Sequence, residues 1–415
     1  MNFRIAITLL LICMIPGGFL IGTLSCYGYL SIASMIPITK VMLLGVSLVC
    51  ACFHLPEIAP TKLFGYFLLF YIVYHAYTFY YILIAPEVPR DVMADVPPEN
   101  AVLFRDFFIQ TMAVLLVGFY RKYIDFSLFA KATSVIVAIL FFFYYSQAGF
   151  ATYGIEDIDD SKLLRDYQFI VSFRLARYFA IAFFCCLSCK SFWFKSKNVN
   201  LVLTYMLSAI LLTGLILTVK RGPILSLFIT FLYWYFIKTK SSHIFRSMFV
   251  WGLLIIFFGN ILADFIANYM GGLVERIKLT VEGGGSGRFG RSTSVFSVSW
   301  EQIKTGLLFG SYFRLKNGLW FGTYPHNFIL EMLMTFGIIF STAFVPLFGN
   351  VLKRVNQLIK HNSTITLAAT CFLYVFCASM TSGSVFLHTD FWIFLSILCS
   401  YSMKYRNKRI NIEKV

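Results

Sequence analysis

The sequence predicts an all-α, polytopic integral membrane protein with about 12 transmembrane helices and one large outer loop. Three observations predict this class. Of the 415 residues, 59% are hydrophobic and only 13% are charged, whereas a soluble domain carries about 25% charged residues. Aromatic residues reach 19%, which suits lipid contact and interfacial belts. The apolar residues form runs near the length that spans a bilayer. This composition excludes a soluble enzyme, a secreted disulfide scaffold and a disordered chain.

The apolar runs fix the order of the predicted elements. Candidate spans lie near 4–24, 36–54, 63–84, 103–120, 126–146, 176–192, 200–219, 222–238, 247–268, 326–348, 365–382 and 389–403. The first run lacks a small-x-small cleavage site, so it is predicted to be a helix and not a signal peptide. The chain then divides into residues 1–268 with outer loops at 85–102 and 147–175, the large loop 269–325, residues 326–403, and a basic cytoplasmic tail at 404–415.

The charge pattern predicts the orientation. The chain has 35 Lys and Arg against 19 Asp and Glu, a net charge of +16. Segments assigned to the side that holds both termini contain 18 of these 35 cations. Cytoplasmic loops of membrane proteins carry such an excess, so both termini are predicted to be cytoplasmic. The excess therefore gives no reason to expect a nucleic-acid partner.

The large loop 269–325 carries seven cations and three acids, 7 − 3 = +4. Within it, Phe296, Trp300 and Ile303 stand at helical spacing, which predicts a short amphipathic helix. That helix lies either on the membrane surface or as a lid over a cavity. No phosphate-binding GxxxxGK[ST] motif and no CxxC pair of metal-ligand type occurs. We therefore predict no cofactor, no bound metal and, because none of the ten Cys lies in a long outer loop, no disulfide framework.

Two basic motifs on the outer side are candidate anion sites. Lys220 and Arg221 occupy a short turn where basic residues are disfavoured, and they either extend to the interface or bind a phosphate. Gly222 and Pro223 follow, which predicts a helix N-terminus beside Arg221. The glycine-rich segment 281–291 carries Arg288 and Arg291. It is either a flexible hinge or a phosphate cradle.

Three residues mark the point where the large loop returns to the membrane. His326 follows Pro325, and Asn327 is placed to cap the next helix. A neutral histidine at a helix N-terminus suits a general base, although an interfacial histidine bonded to a carbonyl is the alternative. Glu331 lies about one turn inside the membrane, so it should face the bundle interior and a cation such as Arg221 or Arg288. Structural pairing and a catalytic role both fit Glu331.

Taken in order, these motifs resemble the O-antigen polymerase/ligase superfamily. The Lys220–Arg221–Gly222 turn, Ser286–Gly287–Arg288 with Trp300, and Pro325–His326–Asn327 with Glu331 and Gly337 carry the resemblance. Arg276 and Gly287 also fit an arginine-x10-glycine spacing of some polymerases. Arg174 and Arg177 stand where the family often has an arginine before an Asn-Pro-Asn element, which this sequence lacks.

The resemblance implies a multi-pass enzyme of the bacterial inner membrane whose site faces the periplasm. Its substrate would be an undecaprenyl-pyrophosphate-linked oligosaccharide, polymerised into O-antigen or capsular polysaccharide by a metal-independent glycosyltransferase. His326, Arg221 and Glu331 would be catalytic. Substrate would be bound by Arg276, Arg288, Arg291, Lys220, Asn327, Arg174 and Arg177.

A chain-length regulator and a flippase are the protein partners that the resemblance implies, besides the bilayer. The near alternative is an O-antigen ligase, which transfers the finished chain to the lipid A core. The alternative from another class is a flippase or transporter for the lipid-linked oligosaccharide, which would not need His326.

Overall fold

The computed structural model describes residues 2–17, 20, 35–54, 61–84, 100–148, 162–188, 194, 196–218, 221–238, 327–361, 365–380 and 389–401. In these ranges the protein is all-helical and has no strand, which confirms the predicted all-α class. The α-helices are α1 (Phe3–Ile12), α2 (Met35–Cys52), α3 (Lys62–Ile84), α4 (Asn100–Phe119), α5 (Phe126–Ala148), α6 (Lys162–Ser188), α7 (Lys197–Leu217), α8 (Arg221–Lys238), α9 (Phe328–His361), α10 (Thr366–Ser379) and α11 (Thr389–Ser400).

Each of these helices overlaps a predicted apolar span, although several of the bounds differ. The predicted span 247–268, the large loop 269–325 and the tail 404–415 lie outside the described residues. Two helical stretches among the described residues, Lys197–Leu217 and Phe336–Lys360, are long and apolar enough by length and composition to cross a membrane.

One predicted outer loop differs from the structure. The segment 147–175 is predicted to be an outer loop between the apolar runs 126–146 and 176–192, but α6 already begins at Lys162. The helix therefore extends about four turns beyond the apolar span. Its first half mixes charged and apolar residues, so its mean hydropathy stays low and hydropathy alone misses it.

The predicted span 326–348 also differs from the structure, because α9 is broken at Gly337 and continues to His361. There φ is 75° and ψ is −178°, which is outside the helical region. The rings of Phe328 and Phe344 nevertheless lie 5.5 Å apart, whereas sixteen residues of straight helix would separate them by about 24 Å. The first section, Phe328 to Phe336, therefore folds back against the second section as a short half-helix.

The backbone at Gly337 gives a direct test of the break. The conformation is one that only glycine adopts readily, so we expect Gly337→Ala to lower the free energy of unfolding by about 1–3 kcal/mol. Gly349→Ala is the matched control in the same helix, because a Cβ atom there meets no heavy atom within 4 Å. Chemical denaturation in detergent micelles measures both. Equal stability of the two variants would contradict the break.

The last helix, α11, lies at the centre of the bundle. It packs against α3, α4, α9 and α10, and its residues from Asp390 to Ser400 are buried. The Ser396 hydroxyl donates a hydrogen bond to the carbonyl of Val114 on α4, at 2.9 Å. A helix that is mostly apolar around its whole circumference is expected to be surrounded by other helices or by lipid, and for α11 the surrounding groups are helices.

Basic side chains mark the end of the bundle where α11 finishes. Arg354 of α9 donates hydrogen bonds to the carbonyl oxygens of Leu398, Cys399 and Tyr401 at 2.6–3.0 Å. These carbonyls have no partner within their own helix, so the guanidinium completes its C-terminus. Other described cations lie at or near the helix ends on this basic side, namely Arg4, Lys62, Lys122, Lys197, Lys353 and Lys360.

Candidate functional site

The opposite end of the bundle holds a buried ion pair between two distant helices. Arg177 of α6 donates through Nη2 to the Asp390 carboxylate in the first turn of α11. The two side chains are only 7% and 6% exposed. Asp390 also accepts a hydrogen bond of 3.0 Å from the backbone N–H of Phe391. Buried charges are expensive unless they are paired, so this pair fixes the relative position of α6 and α11.

Tyr374 of α10 completes this group, which we call the Arg177–Asp390–Tyr374 centre. Its side chain is fully buried and interacts electrostatically with both Arg177 and Asp390. Among the described residues, Arg177 Nε and Tyr374 Oη are buried atoms without a hydrogen-bond partner. Each unsatisfied buried donor costs about 1–3 kcal/mol. The centre is therefore electrically neutral but has two donors free.

The half-helix that begins α9 starts beside this centre. The rings of Phe328 and Phe391 lie 4.8 Å apart, and Phe391 is the residue after Asp390. Asn327 accepts a hydrogen bond of 3.1 Å from the N–H of Ile329, so it caps the helix as its residue type predicts. Its amide also donates to the carbonyl of Met380 at 3.2 Å, which ties the start of α9 to the end of α10.

Glu331 lies on the half-helix and is fully buried, as expected of a carboxylate that faces the bundle interior. It interacts electrostatically with Tyr74 of α3. Tyr74 packs against Trp392 with a centroid distance of 4.7 Å and edge-on against His75 at 5.1 Å. The predicted cation partners of Glu331 are Arg288 and Arg221. Arg288 lies outside the described residues, and of Arg221 only the backbone is described. The carboxylate thus belongs to a buried polar and aromatic cluster that includes α3, α9 and α11.

The predicted helix start at Arg221 lies at the same end of the bundle. Gly214 of α7 packs directly on Phe179 of α6, where an added Cβ atom would come within 2.6 Å of the ring. Phe179 follows Arg177 by two residues, so the C-terminal turn of α7 reaches the level of the ion pair. Because α7 ends at Leu217 and α8 begins at Arg221, the backbone of Arg221 is at this end as well.

The structure therefore brings part of the predicted site together. Arg177, Asn327, Glu331 and the helix start at Arg221 converge on one end of the bundle, and the backbone of Arg174 is one turn before Arg177. The side chains of Arg174 and Arg221 lie outside the described ones. The remaining predicted residues fall outside the described ranges altogether, and these are Lys220, Arg276, Arg288, Arg291 and His326.

Two residues of the site were missed by sequence reasoning. Asp390 is an acidic residue at the start of an apolar run, which marks it as unusual as clearly as Glu331 is marked. No local pattern, however, indicated which residue would be its partner. Arg177 and Asp390 are 213 positions apart in sequence, so no periodicity connects them. Tyr374 gave no signal, because a tyrosine among apolar residues is typical of a core. The described residues contain no group of three or more His, Cys, Asp or Glu that could hold a metal ion.

Comparison with known proteins adds no relative. No family model, curated protein or solved structure matches this chain. The class supported by the described residues is thus a helical bundle with membrane-compatible helices and a buried polar site at one end. Anything more specific has to be argued from the residues themselves.

Proposed function

We propose that the protein polymerises undecaprenyl-pyrophosphate-linked oligosaccharide repeat units into O-antigen or capsular polysaccharide, at the periplasmic face of the bacterial inner membrane. One observation carries the proposal. The Arg177–Asp390 pair, the capped start of α9 and the helix start at Arg221 come from distant parts of the chain yet meet at one end of the bundle. Buried polar groups gathered in an apolar bundle are typical of a substrate site.

The outer surface of the bundle supports the membrane location. Large apolar side chains are exposed on several helices, among them Met42 at 66%, Leu69 at 62% and Val345 at 65%. Many exposed apolar side chains favour aggregation in water, whereas hydrocarbon tails solvate them. We therefore place the helices across the bilayer, with the predicted twelve spans as the full count.

The distribution of basic residues supports the orientation. The described helix termini opposite the candidate site carry the cations from Arg4 to Lys360 named above. The positive-inside bias assigns that end to the cytoplasm. The Arg177–Asp390–Tyr374 centre then faces the periplasm.

The proposed reaction joins the anomeric carbon of one lipid-linked chain to a hydroxyl oxygen of the incoming repeat unit. The bond from that carbon to the diphosphate breaks, the diphosphate leaves with the electron pair, and the acceptor hydroxyl gives up its proton. His326 accepts that proton as general base. Arginines stabilise the charge that develops on the leaving diphosphate, as bidentate donors do for phosphate. We assign this task to Arg221, Arg276, Arg288 and Arg291, and Glu331 positions the substrate.

Deletion of the gene, followed by gel analysis of surface polysaccharide, tests the proposal. Loss of a polymerase leaves lipid A core capped with a single repeat unit, and a plasmid copy restores the ladder. Bare core with polymer on the carrier lipid would instead identify a ligase. Single repeat units held inside the cell would identify a flippase. Either of the last two results would refute polymerisation.

A further inference from the structure

The Arg177–Asp390–Tyr374 centre has a charge and a donor pattern that diphosphate binding does not require. One positive and one negative charge cancel within it. Its two free polar atoms, Arg177 Nε and Tyr374 Oη, are both able to donate a hydrogen bond. A diphosphate brought to this centre would meet the Asp390 carboxylate and be repelled by it. The occupant that fits is a neutral oxygen which accepts from both donors.

We propose that this centre binds a sugar hydroxyl of the lipid-linked substrate and so contributes to recognition of the sugar. A hydroxyl oxygen accepts hydrogen bonds from Arg177 and Tyr374 through its two lone pairs, and its own proton is left for the Asp390 carboxylate. The inference rests on the proposed function, since it takes a polyprenyl-linked sugar as substrate. It gives Arg177, which the resemblance implies only as a substrate-binding residue, the specific task of recognising the sugar.

The position of the centre agrees with this assignment. Asp390 directly precedes Phe391, whose ring contacts Phe328 at the start of the half-helix. Asn327 directly precedes Phe328 in the sequence, and His326 directly precedes Asn327. A sugar held at Asp390 would therefore be close to the segment that carries the proposed general base. The oxygen of a bound water molecule could accept the same two hydrogen bonds as a sugar hydroxyl. The experiment therefore has to distinguish a sugar hydroxyl from a water molecule.

Tyr374→Phe is the sharpest variant, because it removes one hydroxyl and leaves the Arg177–Asp390 pair in place. The purified protein in nanodiscs is titrated with two probes, the lipid-linked repeat unit and the polyprenyl diphosphate without sugar. We expect Tyr374→Phe to weaken binding of the sugar-bearing lipid about three- to tenfold, the effect of one lost hydrogen bond. Binding of the sugar-free lipid should stay unchanged.

Two further variants guard against an effect on folding. Arg177→Lys keeps the positive charge but lacks Nε, and it should show the same selective loss. Tyr120→Phe removes a tyrosine hydroxyl at the basic end, where it donates to the carbonyls of Ala51 and His54. That variant should bind both lipids like the wild type. Size-exclusion chromatography verifies that all three proteins are folded.

Each other outcome overturns the inference. Equal weakening of both lipids would mean that the centre serves the diphosphate. Unchanged binding in Tyr374→Phe and Arg177→Lys would mean that a water molecule is its only occupant. If the wild type binds neither lipid, the proposed function itself fails. The first two outcomes would overturn only the role of this centre and would leave the proposed function intact.

Discussion

Replacement of His326 by alanine is expected to abolish growth of the polysaccharide chain while the protein still inserts into the membrane at wild-type abundance. A positioned general base contributes about 10²–10⁴-fold to the rate of such a transfer. Loss of that factor reduces polymerisation below what a growing cell requires, so the long ladder should collapse to a single repeat unit. Complementation of the deletion strain, with a gel of surface polysaccharide and an immunoblot of the membrane fraction, measures both properties.

A second histidine of the same chain provides the matched control. His54 is at the basic end of the bundle, where its Nδ1 lies 2.9 Å from the carbonyl oxygen of Cys50 and its ring stacks on Phe3. His54→Ala removes an imidazole without touching the candidate site, so the ladder should keep its wild-type length. A wild-type ladder in His326→Ala would remove the general base from the proposal and favour a transporter.

The largest effect on stability is expected from Asp390→Ala. This change leaves the Arg177 guanidinium buried without its counter-ion, and breaking a buried pair in this way costs about 3–5 kcal/mol. Chemical denaturation of the detergent-solubilised protein should show that decrease in the free energy of unfolding. Removal of both charges together, as Arg177→Leu with Asp390→Leu, should recover most of the loss, because no unpaired charge then remains.

An exposed ion pair of the same chain sets the scale for this measurement. Arg4 and Asp125 lie 3.5 Å apart with side chains 53% and 32% exposed. Solvent screens such a pair, so Arg4→Ala should cost only about 0.2–1 kcal/mol. An Asp390→Ala effect no larger than that of Arg4→Ala would contradict the buried pair. The double leucine variant would also be folded yet lack the sugar-binding centre, so it separates stability from recognition.

The elements of the fold were largely predictable, because apolar runs of fixed length leave few alternatives to a helix. Hydropathy could not show that α6 begins at Lys162, since charged residues interrupt the apolar ones in its first half. It also could not show the fold-back at Gly337, where both sections of α9 are equally apolar. A lone glycine in an apolar run indicates a break only when the contact between Phe328 and Phe344 is known.

The candidate site was predictable only where a residue is unusual in its local setting. Glu331 and Arg221 stood out as charges beside or within apolar runs, and Asn327 as a cap. The identity of the partners depends on which helices are neighbours, and that information is spread over the whole chain. Arg177 therefore had a predicted role from its position, but its contact with Asp390 depends on how the helices of the whole bundle are arranged.

The central position of α11 has a consequence for the order in which the protein is made. This helix is the last one described along the chain, yet it supplies Asp390 to α6, carbonyl oxygens to Arg354 of α9, and Ser396 to α4. During synthesis, Arg177 of α6, Arg354 of α9 and the carbonyl of Val114 on α4 are without these partners until the ribosome has released α11. The bundle is therefore completed only once α11 has been made, and a chain that stops before Thr389 would lack the helix around which the others close.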